Sequence, residues 1–231
     1  MSGLLVADSF LVANGKVRGL ELHRDRFVRS CAAEGVEAGR FWDEQIGRLP
    51  GFGRWFPRFE LRMSGLAVQL RPAPLIGGRV RVAVHHGADP RTAPRVKGPD
   101  LEMLGKLKDS APYRADEILL LDHDGTALEA AYSALAWWED DTLCFPPSER
   151  PLLPSVTAQL LRRIATAQGV EVIERPVTPA ELRSTTETWL VNALHGIRPI
   201  HAWSDSAIDP LPNSHSAAWQ SHLESLATRL P

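Results

Sequence analysis

The sequence predicts an α+β fold in two blocks, a small N-terminal one and a larger C-terminal one with a mixed, barrel-like sheet. Three observations carry this. The length of 231 residues suits one large domain or two small ones. Strand-like alternation recurs on both sides of a Pro/Gly-rich break holding Gly87, Pro90, Pro94, Gly98 and Pro99. Helical segments are interspersed without a regular strand–helix repeat. The blocks are placed at residues 1–90 and 100–231, with 91–99 as the linker.

In order along the chain, residues 4–12 are strand-like. Asn14-Gly15 is a turn signal leading into Lys16-Val17-Arg18, so the start reads as a β-hairpin. Residues 22–34 carry Leu22, Phe27 and Ala33 at helical spacing, closed by Gly35, and a second short helix spans 40–49. Strands follow at 59–63, 67–70 and 80–84. After the linker, a helix spans 100–111 with Asp100 as its N-cap. Ile118 to Leu121 is a buried strand ending in the turn Asp122-His123-Asp124-Gly125. Segments 134–138 and 142–145 form a hairpin around Glu139-Asp140-Asp141. Residues 155–168 form an amphipathic helix closed by Gly169, and 170–173 a strand. Thr178-Pro179-Ala180-Glu181 opens a short helix. Strands at 186–191 and 199–203 and a terminal helix at 214–230 complete the chain.

Composition narrows the function. A net charge of −2 gives no electrostatic basis for binding nucleic acid or an anionic membrane. No apolar run reaches the roughly 18 residues of a spanning helix. The start, with Asp8 close behind an uncharged apolar stretch, does not read as a signal peptide. Two distant cysteines, Cys31 and Cys144, exclude a disulfide framework and point to the cytoplasm. Dinucleotide, Walker, HExxH and GxSxG motifs are absent. His85 and His86, adjacent on a strand, point to opposite faces and make poor co-ligands, so no metal site is expected. The tryptophans Trp137, Trp138 and Trp189 read as core.

Five segments stand out: His23-Arg24-Asp25-Arg26-Phe27; Lys97-Gly98-Pro99-Asp100-Leu101; Ala115 to Asp122 followed by Gly125-Thr126-Ala127-Leu128-Glu129; Leu153-Pro154-Ser155-Val156-Thr157; and Asn192-Ala193-Leu194-His195-Gly196-Ile197-Arg198-Pro199-Ile200. In this order and spacing they resemble the class IV aminotransferases, the fold-type IV pyridoxal-phosphate enzymes. Branched-chain and D-amino-acid aminotransferases and 4-amino-4-deoxychorismate lyase belong to that family. The resemblance runs from about residue 7 to residue 203.

It implies pyridoxal 5'-phosphate as cofactor, an electron sink that needs a lysine, an anion at its ring nitrogen and a phosphate cup. Lys97 matches the Schiff-base lysine, one of only four lysines here, and Glu129 the ring-nitrogen partner. Lys106 and Lys108 are rivals placed too close to Glu129. Ser155, Val156 and Thr157, at a helix start, match the phosphate turn, and Arg26 matches the arginine that reaches the phosphate. Asn192 and Ala193 fall at the last cofactor-side turn, in a form closer to the lyases. Ser9 falls where the lyases keep a hydroxyl and is a second catalytic candidate. Arg95, His85 and His86 are candidates for a substrate carboxylate.

The departures are on the substrate side. No tyrosine stands shortly after Lys97, where the run is Pro99-Asp100-Leu101-Glu102, and the strand pair that usually precedes the segment resembling Ala7 to Val12 is missing, so the first block is shortened. The expected protein is a homodimeric enzyme acting on small-molecule amino donors and acceptors, an amino acid or amino-chorismate-type substrate. The alternatives are the lyase, eliminating pyruvate to give 4-aminobenzoate, and a cofactor-binding homologue without turnover.

Overall fold

The computed structural model describes residues 3–112, 115–204 and 215–231. The small block holds two sheets. In one, β1 (Leu4–Ser9) pairs with β5 (Arg58–Arg62), which pairs with β6 (Gly65–Gln69). In the other, β2 (Val12–Ala13) and β3 (Lys16–Arg18) form the hairpin at Asn14-Gly15, flanked by β4 (Arg54–Trp55) and β15 (Ala227–Arg229). The opening stretch is therefore two strands in two sheets rather than one arm of a hairpin, broken at Phe10-Leu11 where both side chains turn into the core. Helices α1 (Leu20–Ala33) and α2 (Gly39–Ile46) cover a core of Phe10, Phe27, Trp42 and Phe59. Trp42 and Phe59 lie 4.2 Å apart, ring centre to ring centre.

The larger sheet has eight strands in the order β12-β11-β10-β13-β14-β7-β8-β9. These are β7 (Val80–Val84), β8 (Glu117–Leu121), β9 (Ala127–Ala130), β10 (Ala134–Glu139), β11 (Thr142–Phe145), β12 (Val172–Glu174), β13 (Glu187–Asn192) and β14 (Gly196–Trp203). β7 precedes the linker in sequence, yet it hydrogen-bonds between β14 and β8, parallel to both. Its pattern is apolar on both faces, Val80, Val82, Ala83 and Val84, which suits an interior parallel strand.

β9 is an edge strand and β10 the third from the other end, yet three residues join them. Ala130 and Ser133 exchange backbone bonds of 2.8 and 3.3 Å across that turn. In a flat sheet, five strand steps at about 4.8 Å each would separate them by roughly 24 Å. The link reaches at most about 15 Å. The sheet must therefore curl into a half-barrel.

Burial on both faces of the curl follows from strand alternation. Leu135 and Trp137 point inward with Val82, Leu119, Leu190 and Ile200. Ala136 and Trp138 point outward against α4 (Val156–Gln168) and α6 (Ser216–Ser225). Trp138, Trp189 and Trp219 meet edge-on or tilted at 5.1–5.8 Å, so the tryptophans act as packing. α3 (Leu101–Asp109) covers β7 and β8 through Leu104, and α5 (Pro179–Leu182) carries a full capping box. The terminal helix is shorter than its spacing suggests. The expected start at Ser214 lies outside the described residues, and after Ser225 the chain leaves the helix and pairs as β15 with β3.

A buried polar layer ties the curl together. Glu117 of β8 accepts from Arg198 of β14 at 2.8 Å and from the Ser133 hydroxyl at 2.8 Å, and Asn192 of β13 donates to the same hydroxyl at 2.9 Å. Arg198→Leu leaves Glu117 charged and unpaired in the interior. It should cost about 3 kcal/mol of stability in urea unfolding, with the loss shrinking as acidic pH neutralises the carboxyl.

Candidate active site

Lys97 sits where the linker crosses β1. The Ala7 amide donates to its carbonyl at 2.6 Å. The next residue, Gly98, has φ +147°, and a Cβ there would lie 2.9 Å from both the Leu5 carbonyl oxygen and the Val6 Cα. Only glycine lets the chain pass this close. On the other side, Asp100 does not cap α3 with its side chain. It accepts instead from Thr92 N–H, Thr92 Oγ1 and Ala93 N–H at 2.8–3.1 Å, tying the linker into a closed loop.

The Lys97 amine faces a cavity and, among the described residues, makes no ion pair. Burial, helped by the Arg26 and Arg71 charges and opposed by Asp8 and Glu129, lowers its pKa to about 8. The rivals are elsewhere in character: Lys106 pairs with Glu102 on the exposed face of α3, and Lys108 pairs with Asp109 at the rim.

Asp8 is fully buried on β1 and organises the inner wall. Arg26 donates to both its oxygens at 2.8 and 2.9 Å, and His23 Nδ1 lies 2.7 Å from Oδ1. Burial would raise this carboxyl, but Arg26 and His23 more than offset it and hold Asp8 well below the usual carboxylate range. His23 is pushed down by burial despite Asp8, so it stays neutral at pH 7 with Nδ1 as donor. Both HxxR side chains lie on one face of α1 because they are three residues apart.

Arg26 also donates to the Pro154 carbonyl at 3.1 Å, at the start of α4. There Ser155 is the N-cap and accepts from Ala158 N–H at 3.3 Å. The Val156 and Thr157 amides have no partner among the described residues, and both residues line the cavity. Two free amides, the positive helix end and Arg26 together form an anion cup. Asn192 and Ala193 lie on the β13–β14 turn of the same cavity. Asn192 Oδ1 accepts from Leu194 and His195 N–H at 3.1 and 2.8 Å, and Ala193 C=O accepts from Arg18 at 3.0 Å.

Glu129, on β9, reaches this cavity because the sheet curls. It is buried, and Oε1 accepts from the Leu153 amide at 2.8 Å and from Arg91. Burial, working against Arg91 and the Leu153 amide, raises its pKa to about 7. Ser9 is buried in the wall of the same cavity, and its hydroxyl accepts from Arg71 at 3.4 Å.

All nine expected site residues, Lys97, Glu129, Arg26, Ser155, Val156, Thr157, Asn192, Ala193 and Ser9, line this single cavity of about 620 Å³. The carboxylate candidates do not. Arg95 is turned away onto the Glu149 and Arg150 carbonyls, and His85 and His86 lie outside the lining, because β7 directs the chain past the cavity rather than into it. Three other arginines do face it, Arg58 and Arg62 of β5 and Arg71, around the buried Glu60. Sequence reading also missed Asp8 and Arg91. A lone acid in the apolar run Val6-Ala7-Asp8 was a signal for the first; Arg91 had none, since its partner is 38 residues away. Among the described residues no helix is long and apolar enough to cross a membrane, and no cluster of side chains is arranged to hold a metal ion.

Comparison with known proteins places this geometry. The family description "Amino-transferase class IV" matches residues 67–203. A Methanocaldococcus jannaschii protein whose name proposes a branched-chain-amino-acid aminotransferase is 27% identical over 85 residues; the match spans 37% of this chain and 30% of that one. A Mycobacterium tuberculosis aminotransferase termed hypothetical, solved with pyridoxal phosphate, superposes with TM-score 0.78 at 19% identity over 97% of this chain and 89% of its own. A branched-chain aminotransferase from Thermoproteus uzoniensis gives 0.79 at 21%, over 97% and 84%. A Legionella pneumophila protein whose name proposes 4-amino-4-deoxychorismate lyase gives 0.80 at 17%, over 96% and 90%. At these identities the structures share the fold.

Two outcomes test the seat of Lys97. The unfolded chain holds the lysine proton to about pH 10.5 and the folded chain only to about 8, so folding stability from this group rises with pH between the two. Lys97→Met should therefore be more stable than wild type below pH 8, by about 3 kcal/mol, and lose that advantage as pH approaches 10.5. Gly98→Ala, forced into the β1 backbone, should lower stability by about 2 kcal/mol in thermal or urea unfolding.

Proposed function

The chain belongs to the class IV aminotransferase family, and on that premise we propose that it is a pyridoxal-phosphate-dependent enzyme acting on a carboxylate-bearing amine, with Lys97 as its cofactor lysine. The observation that carries this is the convergence, in one cavity, of an unpaired buried amine, a carboxylate with a free oxygen and an anion cup. Those are the three groups the cofactor needs, so the residues fit it. Arg26 and the Val156 and Thr157 amides would hold the phosphate, and Glu129 would face the ring nitrogen. Bound pyridoxal phosphate supplies an aldehyde that condenses with amines and a ring that takes up electrons from the substrate.

The protein's own share of the chemistry follows from its charges. A Lys97 amine with a pKa near 8 is partly neutral at physiological pH, so once displaced by substrate it can take the proton from the substrate α-carbon. An ionised Glu129 keeps a proton on the ring nitrogen. Arg71 and Arg58, on the outer wall, suit a substrate carboxylate. The first reading is transamination between an amino donor and a keto-acid acceptor.

The second reading is 4-amino-4-deoxychorismate lyase. It is favoured by the Ser9 hydroxyl in the cavity wall, placed to move a proton on the substrate, and by the lack of a tyrosine just after Lys97. We further propose a homodimer, supported by the exposed apolar side chains Phe52, Met63, Leu75 and Ile76 of the first block.

Purified protein with added pyridoxal phosphate should show the absorbance band of the lysine-bound cofactor, and Lys97→Ala should not; equal bands in both would exclude Lys97. Product analysis then separates the readings. Pyruvate and 4-aminobenzoate formed without a keto acid identify the lyase, and donor conversion only in the presence of a keto acid identifies the transaminase. A bound cofactor whose spectrum responds to no amino donor would leave a binding protein without turnover.

A further inference from the structure

Glu129 has a dedicated counter-ion, and the loop that carries Lys97 also carries it. Arg91 lies six residues before Lys97, and its side chain is 4% exposed. Its Nε and Nη2 donate to the two oxygens of Asp89 at 2.7–3.0 Å, and Nη2 also donates to the Pro151 carbonyl at 2.9 Å. That fixes the guanidinium plane and leaves Nη1 to Glu129 Oε1. The Leu153 amide binds the same oxygen, so Oε2 is left to the cavity. We propose that Arg91 is a positioning residue: by holding Oε1 it favours the ionised form of the Glu129 carboxylate and aims Oε2 at the ring nitrogen of the cofactor. This rests on the cofactor reading given above.

The surrounding charges require such a partner. Burial and the neighbouring Asp89 both favour the neutral acid; Arg91 opposes them directly, with Lys97 and Arg26 elsewhere around the cavity. Without Arg91 the carboxyl would hold its own proton to a higher pH and act less as the anion at the ring. The arrangement also couples two ends of the site. Asp100 fastens Thr92 and Ala93, and β1 fastens Lys97, so one clamped loop sets both the amine and the counter-ion of its distant partner. Arginine is suited to this place because it binds Asp89, Pro151 and Glu129 at once; a lysine keeps the charge but loses the fork.

The test is a titration of Glu129 in the full chain freed of cofactor, with glutamate labelled by ¹³C at the side-chain carboxyl carbon. The Glu129 resonance is the one missing from Glu129→Gln. Wild type should titrate near pH 7. Arg91→Gln should raise the midpoint by about one pH unit or more, and Arg91→Lys by clearly less. An unmoved midpoint in Arg91→Gln overturns the proposal. So does a midpoint in Arg91→Lys displaced as far as in Arg91→Gln, since charge would then be irrelevant. If Arg91→Gln does not fold, Arg91→Met, which keeps the aliphatic stem and removes the charge, takes its place, and an unmoved midpoint there overturns the proposal. The readout needs no cofactor, so its failure is separate from failure of the Lys97→Ala absorbance test.

Discussion

The three-residue link between β9 and β10 is the constraint on which the rest of the structure depends. It cannot span a flat sheet, so eight strands curl, and the curl turns Glu129 toward the same cavity as the linker and the start of α4. Polar groups then meet where the strands converge. Glu117, Ser133, Asn192 and Arg198, from four separate segments, hydrogen-bond to one another there, and Asn192 holds the turn that presents Ala193. A core apolar on both faces of the sheet makes the curl stable. The polar layer makes it specific, because a slipped strand would leave a buried charge unpaired.

Charge within the cavity is balanced by pairing rather than by solvent. Asp8 neutralises Arg26 and orients His23; Arg91 neutralises Glu129; Glu117 neutralises Arg198. Among the described residues Lys97 makes no ion pair, and burial beside Arg26 and Arg71 depresses its pKa. That is the physical difference between a surface lysine and one with a usable amine at neutral pH.

The two halves of the cavity differ in construction. The inner half is built from a helix start, strand ends and a hydrogen-bonded loop. The outer half is built from β5 and the segment that follows β6, where Arg58, Arg62 and Arg71 gather around Glu60.

The sequence by itself determined the local pieces. The α4 helix follows from its Ser155 cap, its apolar spacing and Gly169; the α1 face that carries His23 and Arg26 follows from their three-residue spacing; the α5 cap follows from Thr178 and Glu181. The five family-like segments marked eight residues of one cavity, and Ser9 of the first strand is the ninth. Tertiary structure alone decided that β7 joins the large sheet, that residues 227–229 return to pair with β3, and that Arg71 rather than Arg95 or the two histidines faces the cavity. It alone paired Arg91 with Glu129 and Asp8 with Arg26. The reason is that caps, turns and helix faces depend on neighbours within a few residues. Strand partners and buried ion pairs depend on which distant segments the curl of the sheet brings together.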